Sequence, residues 1–223
     1  MSKKIIIISS GRFGDLIFFK KKIAEIGDSL IIVCDGGVRH LQKLGIKPDV
    51  IIGDMDSIEP AQLTSYSAQG VKIIKYSANK DFTDTELALD YAMGLKPTAI
   101  YIWGALGGRI DHTLANVFLL RKGQKAGIKI YLVDEYCEAF IIDKEAAFVD
   151  AKDVTVSLFA FSPKVEGLSL NGFVYPLKDA VLTMGESLGV SNIIDEAHAK
   201  ISVRAGNLLV IRYWQKGIFP EAL

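Results

Sequence analysis

Through its first 135 residues the chain alternates short β-branched runs with helix-like stretches, and beyond Tyr136 that alternation stops. The runs fall at 5–9, 30–34, 50–52, 71–74, 99–103 and 129–133, with amphipathic stretches at 83–93 and 111–122. Apolar runs flanked by helices are what a parallel sheet covered on both faces produces. In such sheets ligands bind beyond the carboxyl ends of the strands, where residues 35–37, 54–57 and 104–111 fall. From residue 138 onward, strand candidates follow one another at 138–142, 154–161, 173–175, 180–184, 199–203 and 208–214. Turn signals such as Asn171-Gly172 and Ala205-Gly206-Asn207 separate them. The expected fold is therefore an α/β domain at 1–137, a mostly parallel sheet flanked by helices, followed by an all-β sandwich domain at 138–223.

Two aspartates stand one residue apart where the third run ends, in the segment Ile51-Ile52-Gly53-Asp54-Met55-Asp56-Ser57. If the extended conformation continues, Asp54 and Asp56 point the same way and share one cation. Crowded carboxylates repel unless something positive sits between them, and oxygen ligands suit magnesium carried with a substrate's phosphates. The structural alternative is a turn in which an aspartate caps the next helix, although Ser57 is available for that and Pro60 suits a first helical turn. A second acidic cluster joins Asp81, Thr83 and Asp84, and Thr83 with Glu86 makes a capping box. Asp84 in that first turn is either a partner of the helix dipole or a third metal ligand. The stretch Gly104 to His112 is a glycine-rich strand-to-helix loop in which Gly107 and Gly108 let backbone approach a phosphate chain. Arg109 adds a planar fork for phosphate oxygens, and Asp111 is a plausible N-cap. The loop matches neither the Rossmann nor the Walker pattern. Asp35-Gly36-Gly37 closes the second run, as a turn or as a phosphate or metal approach. His40, His112 and His198 are scattered and read as helix-surface residues. In the second domain Gly189-Val190-Ser191-Asn192 reads as a turn between strands.

The composition narrows the partners. Lys and Arg number 26 against 26 Asp and Glu, which argues against a basic nucleic-acid surface. Apolar runs are too short to span a membrane, and the basic start followed by four isoleucines reads as a first strand rather than a signal peptide. Cys34 and Cys137 are too few for a disulfide framework or zinc site, so the expected setting is cytoplasmic.

Four segments in order, DGGVRHLQKLGIKPDVIIGDMDS, KDFTDTELAL, GALGGRIDHTLAN and GVSN, resemble the thiamine pyrophosphokinase family. The resemblance runs from about Ile31 into the C-terminal β region. It implies a homodimer whose active site pairs the first domain of one subunit with the second domain of the other. It also implies transfer of the pyrophosphoryl group of ATP to thiamine's hydroxyl, giving thiamine diphosphate and AMP. By matching position, Asp54, Asp56 and Asp84 look like Mg2+ ligands, and with Arg109 they form the expected catalytic set. The expected ATP contacts are Asp35, Gly36, Gly37, Asp81, Thr83, Gly107, Gly108, Arg109 and Asp111. Lys80, Ser191 and Asn192 are the expected thiamine contacts. Where some members carry an aromatic residue after the Ser-Asn pair, this chain has Ile193, Ile194 and Asp195; Trp214 is either a substitute or, more simply, core. Competing readings are an ATP-dependent phosphotransferase acting on another small alcohol, and a non-catalytic thiamine or nucleotide sensor.

Overall fold

The computed structural model describes residues 3–77 and 82–214. Its contacts divide the chain into two compact units, Met1–Glu135 and Tyr136–Leu223.

Among the described residues the first unit is built on six parallel strands: β1 (Lys4–Ile8), β2 (Ser29–Cys34), β3 (Val50–Gly53), β4 (Lys72–Lys75), β5 (Ala99–Trp103) and β6 (Lys129–Val133). They lie in the order β6-β5-β1-β2-β3-β4. Residues Ile5 to Ile8, with Ile32, Ile51, Ile52, Ile100 and Ile102, are fully buried, as strands covered on both faces require. The helices are α1 (Leu16–Ile26), α2 (Val38–Leu44), α3 (Pro60–Ala68), α4 (Asp84–Gly94) and α5 (Ile110–Ala126). The path steps outward from β1 to β4, then returns to pair β5 with the other side of β1. Right-handed crossovers place helices of the outward run and of the return run on opposite faces. In keeping with that, α1 packs on α2, while α4 packs on β1, β2 and β3 and on α5. The reversal of direction lies between β1 and β5, so the carboxyl ends of those strands border the crevice where ligands seat in such sheets.

The second unit is an antiparallel sandwich. Its strands are β7 (Cys137–Ile142), β8 (Glu145–Val149), β9 (Thr155–Ala160), β10 (Lys164–Asn171), β11 (Leu177–Thr183), β12 (Gly189–Ile193), β13 (His198–Ser202) and β14 (Leu208–Tyr213). Pairing runs β12-β9-β14-β7 in one layer and β11-β10-β13-β8 in the other. Inward side chains of both layers, among them Val156, Leu158 and Val210 against Val165, Leu170 and Ile201, form one buried core.

Two local expectations are corrected, and strands β8 and β10 lie outside the runs expected from the sequence. Residues 173–175 form no strand; Phe173 makes a single bridge to Ile194. Strand β10 escaped the sequence pattern because a bulge after Glu166 breaks its alternation, leaving Val165 and Leu168 three residues apart on the buried side. Residues 189–192 are not a turn between strands but most of β12, whose polar composition hides it: only Gly189 and Asn192 are buried. Among the described residues no helix is long and apolar enough to cross a membrane.

Candidate active site

Asp35 is the first residue beyond β2 and opens a short 3-10 turn, Asp35–Gly37, with only 4% of its surface exposed. Its carboxylate accepts from its neighbour Gly36 N–H and from Met55 N–H at 3.1 Å. Gly53 makes room for it, because a Cβ there would lie 2.7 Å from the Asp35 Cγ. The extended run then ends abruptly: Met55 adopts φ 69°, a left-handed conformation that a bulky residue rarely takes. Asp54 and Asp56 therefore do not share a strand face, as the spacing suggested. The turn gathers them instead, with Asp54 Oδ1 accepting the Asp56 N–H at 3.2 Å. One carboxylate oxygen from each of Asp35, Asp54 and Asp56 lies within 4.8 Å of the others.

Three such groups cannot all ionise freely. Burial, followed by a hydrogen bond to Asp54 and the charges of Asp84 and Asp54, pushes the Asp35 carboxyl up to about 6 despite the opposing Gly36 N–H. A hard divalent cation bound by oxygen ligands relieves that repulsion, so the donor set fits Mg2+. Asp84 bears on Asp35 by its charge but is outside the set of three. It sits in the first turn of α4, whose cap is Thr83, with Oγ1 accepting from Glu86 N–H at 3.2 Å. The other half of the expected capping box is absent, since the Glu86 side chain pairs with Lys122 at 2.7 Å. Lys80 and Asp81 lie outside the described residues. Ser57 caps no helix; its hydroxyl donates to Asp56 at 3.0 Å, and α3 starts at Pro60 without a side-chain cap.

The glycine-rich loop follows β5. Gly107 and Gly108 have φ of 75° and 85°, turning the peptide units in a way side-chain-bearing residues resist. A buried bond from Asn116 Nδ2 to the Ala105 carbonyl, 2.9 Å long, ties the loop to α5. Arg109, not Asp111, occupies the cap position of α5. Asp111 pairs with Arg109 instead, Nε to Oδ1 at 3.1 Å, and this hydrogen bond holds its carboxyl down to about 2. Both side chains are open to solvent at 73% and 59% exposure.

The turn from β1 to α1, residues 9–15, also belongs to this rim, outside the motifs singled out in the sequence. Gly11 N–H donates to the Gly104 carbonyl at 2.8 Å, Ser10 packs against Gly36, and Ser9 shares a 2.6 Å hydroxyl bond with Thr85 of α4. Two glycines within Ser-Ser-Gly-Arg-Phe-Gly-Asp, between a strand and a helix, were the available signal. His40 is likewise not on the surface: it is buried, stacked on Phe13 at 4.3 Å and bonded to the Gly11 carbonyl at 3.0 Å. Burial keeps its pKa below the ordinary value. His198 lies on β13 rather than on a helix.

In the second unit Ser191 is exposed with φ 59°, and its N–H donates to the Ser157 hydroxyl at 3.0 Å. Asn192 is buried, and its amide works within the unit. Oδ1 accepts from Tyr175 N–H (3.1 Å) and Ile193 N–H (2.8 Å), while Nδ2 donates to the Tyr175 carbonyl (2.8 Å). The Gly-Val-Ser-Asn segment thus clamps the backbone of Tyr175, whose side chain is left outside; the residue is 65% exposed. Trp214, read as core, is only partly buried and lies under the Arg212 guanidinium at 4.8 Å.

Comparison with known proteins agrees with both halves. Residues 25–132 match the family model "Thiamin pyrophosphokinase, catalytic domain" and residues 140–208 match "Thiamin pyrophosphokinase, vitamin B1 binding domain". The thiamine pyrophosphokinase of Bacillus subtilis is 36% identical over 186 residues, covering 82% of this chain and 87% of that protein. A crystal structure of the Bacillus subtilis protein superposes with a TM-score of 0.82 at 33% identity, over 95% of this chain and 99% of that one. The Geobacillus thermodenitrificans structure gives 0.80 at 28% identity, over 97% and 100%. The chain belongs to the thiamine pyrophosphokinase family.

Proposed function

We propose that the chain transfers the pyrophosphoryl group of ATP to the hydroxyl of thiamine, releasing AMP and thiamine diphosphate, with the first unit carrying the nucleotide and the second carrying thiamine. The observation that carries this reading is the Asp35–Asp54–Asp56 cluster on the carboxyl rim of a parallel sheet, in a chain whose two units both match the family. Asp35, Asp54 and Asp56, with Asp84 beside them, would hold Mg2+, which would supply positive charge against the phosphates. The amides of Gly107 and Gly108 and the Arg109 guanidinium meet the phosphate chain on the other side. Thiamine's hydroxyl oxygen attacks the β-phosphorus, the bond from that phosphorus to the α-β bridging oxygen breaks, and the hydroxyl proton passes to Asp56 or Asp84. The chain's own task is orientation, which is worth most when reacting groups are held in line.

The thiamine end is assigned to Ser191, with Tyr175 as the exposed ring that Asn192 holds in position. An aromatic face beside a small hydroxyl suits a flat pyrimidine with polar edges. The proposal extends to a homodimer in which the second unit of one copy serves the first unit of the other. It also extends to a cytoplasmic setting, in keeping with a chain that carries only two cysteines, too few for a disulfide framework. The test is to incubate the pure protein with ATP, Mg2+ and thiamine. Equal molar amounts of AMP and thiamine diphosphate are expected. ADP with thiamine monophosphate, or no thiamine product, would overturn the reading.

A further inference from the structure

The turn leaving β1 is shaped by close approach at two points. A Cβ on Gly11 would lie 2.2 Å from the Gly104 carbonyl oxygen, and one on Gly14 would lie 1.8 Å from Glu135 Oε1. Between these two glycines stands Arg12. Its guanidinium donates to Glu135 Oε1 at 3.0 Å, and Glu135 follows the end of β6. The pair is asymmetric: the Glu135 side chain keeps 9% of its exposure and Arg12 keeps 38%. Glu135 is the sunken post, and Arg12 is the member that faces the rim. Arg12 Nε lies 3.9 Å from where a Gly107 Cβ would stand, so the guanidinium borders the glycine-rich loop.

The same turn reaches the acidic side of the rim. Ser10 Cβ lies 2.8 Å from where a Gly36 Cβ would be, next to Asp35. Two residues of extended chain span at most about 7 Å, comparable with the length of a triphosphate. Residues 10–12 therefore form a floor between the acidic cluster and the glycine loop, with a cation fixed at the end remote from the carboxylates. The N-terminus of α1 is not the anion receptor here, because the Asp15 carboxylate already accepts from Ile17 and Phe18 N–H.

We infer that Arg12, seated by Glu135, is a nucleotide-binding residue that grips the phosphate that leaves with AMP. A guanidinium presents five N–H donors in one plane, so bonding Glu135 is compatible with meeting phosphate oxygens as well. The assignment to AMP follows from position, since the transferred phosphates belong beside the acidic cluster and Arg12 borders the opposite loop. It rests on reading the rim as the nucleotide site. The bland alternative is a staple joining the β1 turn to the end of β6, and a partly exposed ion pair of that kind contributes little to stability or binding.

The test is calorimetric binding of AMP and of adenosine to the full chain, wild type and Arg12→Ala, beside steady-state kinetics. Arg12→Ala should weaken AMP at least tenfold, leave adenosine within twofold, and raise KM for ATP while KM for thiamine holds. Arg12→Lys should recover part of the AMP affinity. AMP binding within twofold of wild type in Arg12→Ala overturns the inference, as does an equal loss for adenosine. If Arg12→Ala does not fold, Glu135→Gln tests the same seat: a threefold or greater loss of AMP affinity supports it and an unchanged affinity overturns it. A wild-type protein that binds AMP through Arg12 yet makes no thiamine diphosphate would sink the reaction and leave this inference standing. One that makes thiamine diphosphate with Arg12 irrelevant to AMP would do the reverse.

Discussion

Replacing Asp35 by asparagine removes the most strained charge at the rim, and its consequence has a definite sign. The Asp35 carboxyl titrates near 6 in the folded protein against 3.8 for an ordinary aspartate, chiefly because it is buried and secondarily because it faces Asp54 and Asp84. A folded pKa raised above its unfolded value contributes stability that is fully present below pH 3.8 and is lost as pH rises through 6. At about 1.4 kcal/mol per pH unit, the whole effect is on the order of 3 kcal/mol, with roughly 2 kcal/mol of it lost between pH 4.5 and pH 8. Asparagine has one accepting oxygen where the carboxylate uses two, so either the Gly36 or the Met55 N–H loses its partner. An orphaned buried N–H costs about 1–3 kcal/mol at every pH. Measured against wild type, the variant should thus gain roughly 2 kcal/mol of stability between pH 4.5 and pH 8. The assay is urea unfolding in the presence of a metal chelator at both pH values, comparing the two proteins so that all other titrations cancel. Adding Mg2+ at pH 8 should then stabilise wild type more than the variant, which keeps Asp54 and Asp56 but has lost one of the three clustered carboxylates. Parallel pH profiles for the two proteins would refute the reasoning.

Asp56→Asn should leave the circular dichroism spectrum intact and lower turnover more than a hundredfold, on the order of 3 kcal/mol of barrier; near-normal turnover at saturating Mg2+ would contradict the assignment. Thr83→Ala removes the oxygen that accepts the Glu86 N–H and should destabilise the first unit by about 1 kcal/mol in chemical denaturation. Asn192→Ala frees the Tyr175 backbone and should raise KM for thiamine more than KM for ATP, with Tyr175→Ala acting in the same direction; equal effects on both substrates would count against the thiamine assignment. Arg109→Ala should raise KM for ATP and leave the melting temperature unchanged, since its pair with Asp111 is solvent-exposed and weakly stabilising.

What the sequence disclosed follows a physical divide. Strands β5 and β6 were read to the residue because unbroken runs such as Ala-Ile-Tyr-Ile-Trp are what double-sided burial demands. The acidic pair at Asp54 and Asp56 was legible as a site for the same reason the family resemblance was, since both rest on residue type and order. Its geometry was not. Nothing in the letters says that Met55 takes a left-handed conformation or that Asp35 completes the cluster; that follows from β2 and β3 pairing side by side, a long-range fact. Strand β12 was illegible because an edge strand with two buried residues has no apolar alternation to read. His40 was misread because its burial depends on Phe13 and Gly11, nearly thirty residues away. Residues 9–15 escaped for a different reason: next to a basic start and four isoleucines, their glycines looked like the tail of a first strand rather than the lip of a crevice.

The central claim is that carboxylates on this rim grip a divalent cation that accompanies the nucleotide. It is met most directly by anomalous diffraction from crystals grown with Mn2+ and a non-hydrolysable ATP analogue. A manganese peak is expected within coordination distance of Asp54 and Asp56, with the phosphate chain running from it toward Gly107. A nucleotide bound elsewhere, or a manganese peak remote from those carboxylates, would contradict it.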